Sequence, residues 1–353
     1  MRIGTPGFVA ARLTEAREAR GLAQIALAEI TGIKSQSISH YEQGRQSPSP
    51  EALALLCEKL ELPQNYFLRP SPRYTAEGVF FRSYRHASRG ARLKAVRRLN
   101  WLKEIAAYLG RHLDLPVAAI PFRTGDVEQA AEHCRETLEL GAGPVNDMTL
   151  LLENLGCIVS RSSADAEVEG SHSQWANGKP FVMLAESTCS GRIRFDAAHE
   201  LGHLEMHRLT EVQADRFARA FLLPAKMFGQ EVWAPTIDAL VSLKKIWNCP
   251  VSEMIARCGE IGVFDKDQVR RALVNHSRRG WKSREPNADV PPESPKLLAR
   301  GIRLLISEGG RHPHTVLTDL GLAPADVEDL ACLPRGYFAG CSVRNETALR
   351  LRT

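Results

Sequence analysis

The sequence has no apolar run long enough to cross a bilayer, which takes about 20 residues as a helix. Its opening segment, MRIGTPGFVAARLTEAREAR, lacks an apolar core and a small-residue cleavage site. No export signal is therefore read, no membrane partner is expected, and the expected location is cytoplasmic. Cysteines are present but never spaced as paired ligands: the eight, at 57, 134, 157, 189, 249, 258, 332 and 341, form no C-x-x-C. Without an export signal they are expected to be reduced, mostly buried, and not a cysteine-based zinc site. Internal repeats and long low-complexity tracts are also missing.

What remains is ordinary in bulk and uneven in detail. A length of 353 residues allows two or three domains, and 44% hydrophobic content can supply packed cores. The net charge is only +5, yet residues 82–111 hold nine Arg or Lys against one acid, Glu104. That excess reads either as a patch that attracts phosphate or as a solvated helix face.

Composition divides the chain into four expected regions. Residues 6–70 read as a run of short helices ending near Pro70 and Pro72. Residues 71–120 read as a basic linker carrying a helix over 88–112, with Leu93, Val96, Leu99, Leu102, Ile105, Ala106 and Leu109 on one stripe. Residues 121–235 mix helices with β-like runs at 156–160 and 180–184, and residues 236–340 read as helical. Within the last region, residues 283–295 carry four prolines and are expected to be an exposed linker. Residues after 341 read as a basic tail. The expected fold class is mainly α (α+β), with a small sheet in the middle region.

The first region has helix-turn-helix spacing. An amphipathic helix over 8–20 precedes a short one over 24–30, a turn at Thr31-Gly32-Ile33, a third helix over 34–41 and a fourth over 51–62. Gly32 suits the positive φ of such a turn. In KSQSISHY, Ile38 and Tyr41 point inward, which leaves Ser35, Gln36, Ser37, Ser39 and His40 to face a DNA groove. Gln24 and Arg45 flank that helix where the DNA backbone would pass. The string LAQIALAEITGIKSQSISHYEQGRQSPSPEALALLCEKLELPQNYF resembles the phage-repressor-type (Xre-like) helix-turn-helix. That resemblance implies DNA as a partner and makes a homodimer one arrangement to consider. Some similar domains serve protein contact only, so docking onto a substrate protein remains the alternative.

The chemical signal is Asp196-Ala-Ala-His199-Glu200-Leu-Gly-His203. On a helix, positions i and i+4 share a face, so His199 and His203 can converge on one divalent ion, Zn²⁺ being the metal suited to imidazole. Glu200 lies beside that point and can move a proton between an attacking water and a leaving amine. A catalytic zinc needs a third protein ligand. Glu211, opening the next helix, is the expected one, with Asp215 in reserve. Otherwise Asp215, one turn on, can accept from the far nitrogen of a liganding histidine, most naturally His199. The Glu211-x-x-x-Asp215 spacing resembles that of thermolysin-like gluzincins. His207 and His172 are further candidates, each read more simply as a helix-end residue and a loop residue. Residues 180–184 read as a strand whose exposed edge could pair with an extended substrate.

RIRFDAAHELGHLEMH, EVQADRFARAFLLP and the upstream GKPFVML together resemble the ImmA/IrrE metallopeptidases. The resemblance covers roughly residues 150–230 and extends over more of the chain if the helical tail is included. It implies cleavage of a repressor protein, in stress response or mobile-element induction. One departure is the short connection of seven residues between His203 and Glu211. Two functions of different class stay open: a zinc endopeptidase fused to a DNA-binding domain, and a transcription regulator whose peptidase-like domain senses or scaffolds without cutting.

Overall fold

A computed structural model describes residues 4–72, 80–81, 88–123, 125–162, 171–187, 189–206, 209–281, 285–286 and 290–342. Five helices come first: α1 (Ala10–Ala19), α2 (Gln24–Thr31), α3 (Ser35–Glu42), α4 (Pro50–Leu60) and α5 (Gln64–Leu68). Gly32 closes α2 in the left-handed region at φ 69°, which lets the chain reverse into α3. Ser49 accepts from the backbone N–H of Ala52 and Pro50 occupies the first turn, so α4 starts where these residues dictate. The helix α5 is absent from the expectation; at five residues it is too short for a periodic signal.

After β1 (Phe80–Phe81), α6 (Arg89–Gly110) forms a central spine, capped by Ser88. Three of its basic residues are engaged within the protein. Arg97 pairs with Glu18, Arg98 pairs with Asp326 and Asp329, and Lys103 is buried and donates to Gln174. Arg82 and Arg85, the first two of the basic stretch, lie outside the described residues.

The middle region comprises α7 (Val127–Thr137), α8 (Met148–Asn154), β2 (Ile158–Ser162), β3 (His172–Ala176), β4 (Lys179–Ala185), α9 (Ser190–Glu205) and α10 (Glu211–Leu222). Strand order is β1-β3-β4-β2, with β2 parallel to β4 and β3 antiparallel to both β1 and β4. Residues of β4 alternate between two cores: Val182 and Leu184 face the one containing α9, while Phe181 and Met183 face the one containing α6. The sheet is therefore a wall between two cores, and a strand buried on both faces reads as the continuous apolar run Phe-Val-Met-Leu. The expected exposed edge of residues 180–184 is not there. Phe181, Val182 and Met183 are paired on both sides, by β3 and by β2.

The helices α11 (Ala225–Glu231), α12 (Ile237–Trp247), α13 (Val251–Glu260) and α14 (Lys266–Arg278) join the α9 core. The last four, α15 (Leu297–Ser307), α16 (Pro313–Leu320), α17 (Pro324–Leu330) and α18 (Tyr337–Ser342), join the α6 core beside the first five helices. Residues 236–340, read as one helical region, are thus shared between the two cores. No helix among the described residues is long and apolar enough to cross a membrane.

At its described residues the proline-rich segment is anchored at two points, Glu285 and Glu293. Glu285 accepts from Lys244 Nζ at 2.5 Å and from the Val251 N–H at 3.0 Å, at the start of α13. Glu293 accepts from the N–H groups of Met148 (2.8 Å) and Thr149 (3.1 Å), at the start of α8, and pairs with Arg194 of α9. Both carboxylates satisfy orphan donors at helix N-termini, where negative charge is also favoured.

Candidate metal centre and nucleic-acid interface

On the helix α3, Ile38 is fully buried, while Ser35, Gln36 and the following Arg45 are exposed. Ser37, Ser39 and His40 are half-buried. Ser39 Oγ accepts from Gln43 Nε2 at 3.0 Å. Gln24 turns its amide N–H onto Glu42 Oε2 at 2.7 Å, a carboxylate that Arg17 also grips. Ser35, Gln36 and Arg45 are thus open to solvent, and Gln24 is tied to the end of α3.

The other site grows out of α9. This helix is buried over almost its whole length, and Arg194 fixes its first half by donating to the carbonyls of Val145 and Asn146 and to Glu293. His199 and His203, one turn apart and buried, bring their Nε2 atoms to 3.2 Å from each other. The chain then breaks and restarts at a capping box, in which Gln213 N–H donates to Thr210 Oγ1 and Thr210 N–H donates to Gln213 Oε1. That cap makes Glu211 the first residue of α10. Its carboxylate reaches back, Oε2 to His199 Nε2 and Oε1 to His203 Nε2, both at 3.4 Å. Burial raises the Glu211 carboxyl, but its hydrogen bonds and attraction to the two histidines outweigh this and hold it down at about 2. One ligand atom from each of the three residues lies within 4.8 Å of the others. Two imidazole nitrogens and a carboxylate oxygen are a donor set that suits a divalent ion such as zinc.

Residues 152–255 match the model of an IrrE N-terminal-like domain, and residues 9–65 match that of a helix-turn-helix domain. The two matched domains, in this order, are similar to those of ImmA/IrrE-type proteins that carry a helix-turn-helix domain. No curated protein matches it.

Within the IrrE-like domain, Asp215 lies one turn beyond Glu211 and its Oδ1 is 2.9 Å from His199 Nδ1. A carboxylate there favours a proton on Nδ1 and leaves the Nε2 lone pair facing the other two donors. Glu200 is fully buried next to His199. His172 is not a loop residue: it lies on β3 and is 2% exposed. His207 falls outside the described residues.

Two features escaped the sequence reading. The first is Gly202, whose added Cβ would stand 2.8 Å from Phe217 Cδ1 and 3.2 Å from Phe217 Cβ. This glycine lies between the two histidines on the side facing α10, and it lets the helix carrying Glu211 come close. We expect Gly202→Val to cost about 1–3 kcal/mol through overpacking and to weaken metal binding by pushing Glu211 away. Thermal melts with and without zinc, alongside a chelator competition, would reveal a melt unchanged in both states if the contact were slack. The second is β3, whose sequence His-Ser-Gln-Trp-Ala has little β-propensity. The signal for it was the following Asn177-Gly178, with φ of 50° and 74°, a two-residue hairpin turn joining β3 to β4.

Proposed function

We propose that the chain is a zinc-dependent endopeptidase of gluzincin type joined to a DNA-binding domain, and that it cleaves a transcriptional repressor in a stress or mobile-element response. What carries the reading is the meeting of His199 Nε2, His203 Nε2 and the Glu211 carboxylate at one point. Zinc bound there would act as a Lewis acid and bring the pKa of a water to about 7. Glu200 moves the proton from the attacking water to the departing amine, a role worth about 10²–10⁴-fold in rate. Asp215 holds the His199 ring in register. Glu211, with its side chain 47% exposed, marks the side from which substrate approaches.

The helix-turn-helix domain supplies the address. Ser35, Gln36, Ser37, Ser39 and His40 face base edges, while Gln24 and Arg45 meet the DNA backbone. A protein that binds DNA and cuts its repressor works in the cytoplasm.

The deciding experiment expresses wild type and Glu200→Gln with repressors encoded near the gene. Metal-dependent fragments are expected from the wild type alone, with equal zinc in both proteins. If the regulated response survives intact in Glu200→Gln cells, the domain is a non-cutting sensor or scaffold instead. Asp215→Asn should bind zinc about 10–100-fold more weakly, measured by competition with a chromophoric chelator; an unaltered affinity would mean that the contact to His199 Nδ1 does not orient the ring.

A further inference from the structure

Away from the metal centre, a cavity of about 590 Å³ opens where the sheet meets the C-terminal helices. Arg98 of α6, Arg161 of β2 and Arg335 beyond α17 line it, together with Glu186 beyond β4 and acids of α17. The α17 acids are already engaged. Asp326 receives Arg20 at 2.7 Å and Arg98 at 3.6 Å, and Asp329 receives Arg98 as well. Glu328 accepts the backbone N–H groups of Gly336 (2.8 Å) and Phe338 (3.1 Å).

The cations are not matched in the same way. Among the described residues, Arg161 and Arg335 make no ion pair. The Nε atoms of Arg98 and Arg161 are buried without a hydrogen-bond partner, and Arg98 as a whole is 7% exposed. Buried donors without acceptors are costly and are normally satisfied by something. Arg161 and Arg335 thus lack a carboxylate partner, whereas every lining carboxylate except that of Glu186 is already held by an arginine or by backbone N–H groups.

We propose that this cavity binds a small oxyanion, a molecule bearing a carboxylate or phosphate head, gripped by Arg161 and Arg335. A planar guanidinium presents paired N–H donors that fit both head groups. A metal cation would find only the Glu186 carboxylate not already engaged and would sit beside two arginines, and an apolar ligand would strand the charged lining. The place matters as well. Asp326 at the cavity wall holds Arg20 of the first helix, and Glu186 lies shortly before Ser190, where the histidine-bearing helix begins. An occupant therefore lies beside the α6 core and against the segment that leads into the histidine-bearing helix.

The full chain is titrated by calorimetry with inorganic phosphate and separately with succinate, at constant ionic strength. Saturable binding of one ligand per chain is expected for at least one probe, and the probe that binds identifies the head group. Arg335→Ala and Arg161→Ala should each weaken it about tenfold or more. Glu186→Gln should tighten it severalfold by removing a like charge. Arg303→Ala, an exposed charge on α15, should leave it unchanged. Arg335 is itself exposed, so its variant reads out binding even if Arg161→Ala fails to fold. Failure of both probes to saturate, an unchanged affinity in Arg335→Ala, a loss in Glu186→Gln, or an equal loss in Arg303→Ala overturns the proposal.

Discussion

His203→Ala should leave a folded protein that no longer retains zinc. A fully formed protein zinc site is worth about 10–16 kcal/mol, so removing one of three ligands should weaken affinity by roughly a thousandfold or more. His203 sits at the end of α9, with its Nε2 facing His199 and Glu211, so the truncation takes away a donor without touching the apolar side of that helix. The measurement is metal content after dialysis against a weak chelator, with circular dichroism as the control for folding. Near-stoichiometric zinc in the variant would show that the metal, if any, is held elsewhere. Acidification should act in the same direction, since imidazole and carboxylate bind metal only when deprotonated.

The second large effect concerns the C-terminal helices. Ending the chain at residue 294 should destroy the helix-turn-helix domain, although that domain lies at the opposite end of the sequence. The side chains of Leu298, Ile302, Leu305, Val316, Leu320, Val327 and Leu330 share one core with Leu13, Leu56, Tyr66 and Trp101. Each large apolar side chain contributes about 1.5–3 kcal/mol when buried, and a domain as a whole is stable by only about 5–15 kcal/mol. Polar ties disappear too: Arg20 loses Asp326, Asn65 loses the Thr318 carbonyl, and Arg98 loses Asp329. The truncated chain should be insoluble or should melt far below the full chain. Retention of full DNA affinity and an unshifted melting temperature would mean that the first five helices stand alone.

What the sequence disclosed, and what it concealed, follows from the range of the interactions involved. The turn at Gly32 and the pair His199 and His203 are local: a single φ angle and a single helical turn define them, so residue spacing is enough. Glu211 needed one more step, because its position depends on where α10 starts, and Thr210 with Gln213 decides that locally. Gly202 could not be read, since its purpose is visible only once Phe217 is seen packing against it. Nor could the allegiance of the late helices. An amphipathic stripe such as that of α15 says that a helix buries one face, but not which of two cores receives it. The proline-rich segment misled for a related reason. Prolines signal irregular backbone correctly, whereas the two glutamates that pin it find their helix N-termini only in three dimensions.

The wall formed by the four strands has one more consequence. Since α6 and the late helices fasten the first five helices to one side of it and α9 packs on the other, the bearing from α3 to His199, His203 and Glu211 is set by the fold. On the function proposed above, a repressor bound upstream on the same duplex would come within reach only when it lies on the correct side of the double helix. Cleavage of such a neighbour should then rise and fall as spacer base pairs are inserted, with a period of about 10.5 base pairs, as it would for any tool mounted on a stiff arm.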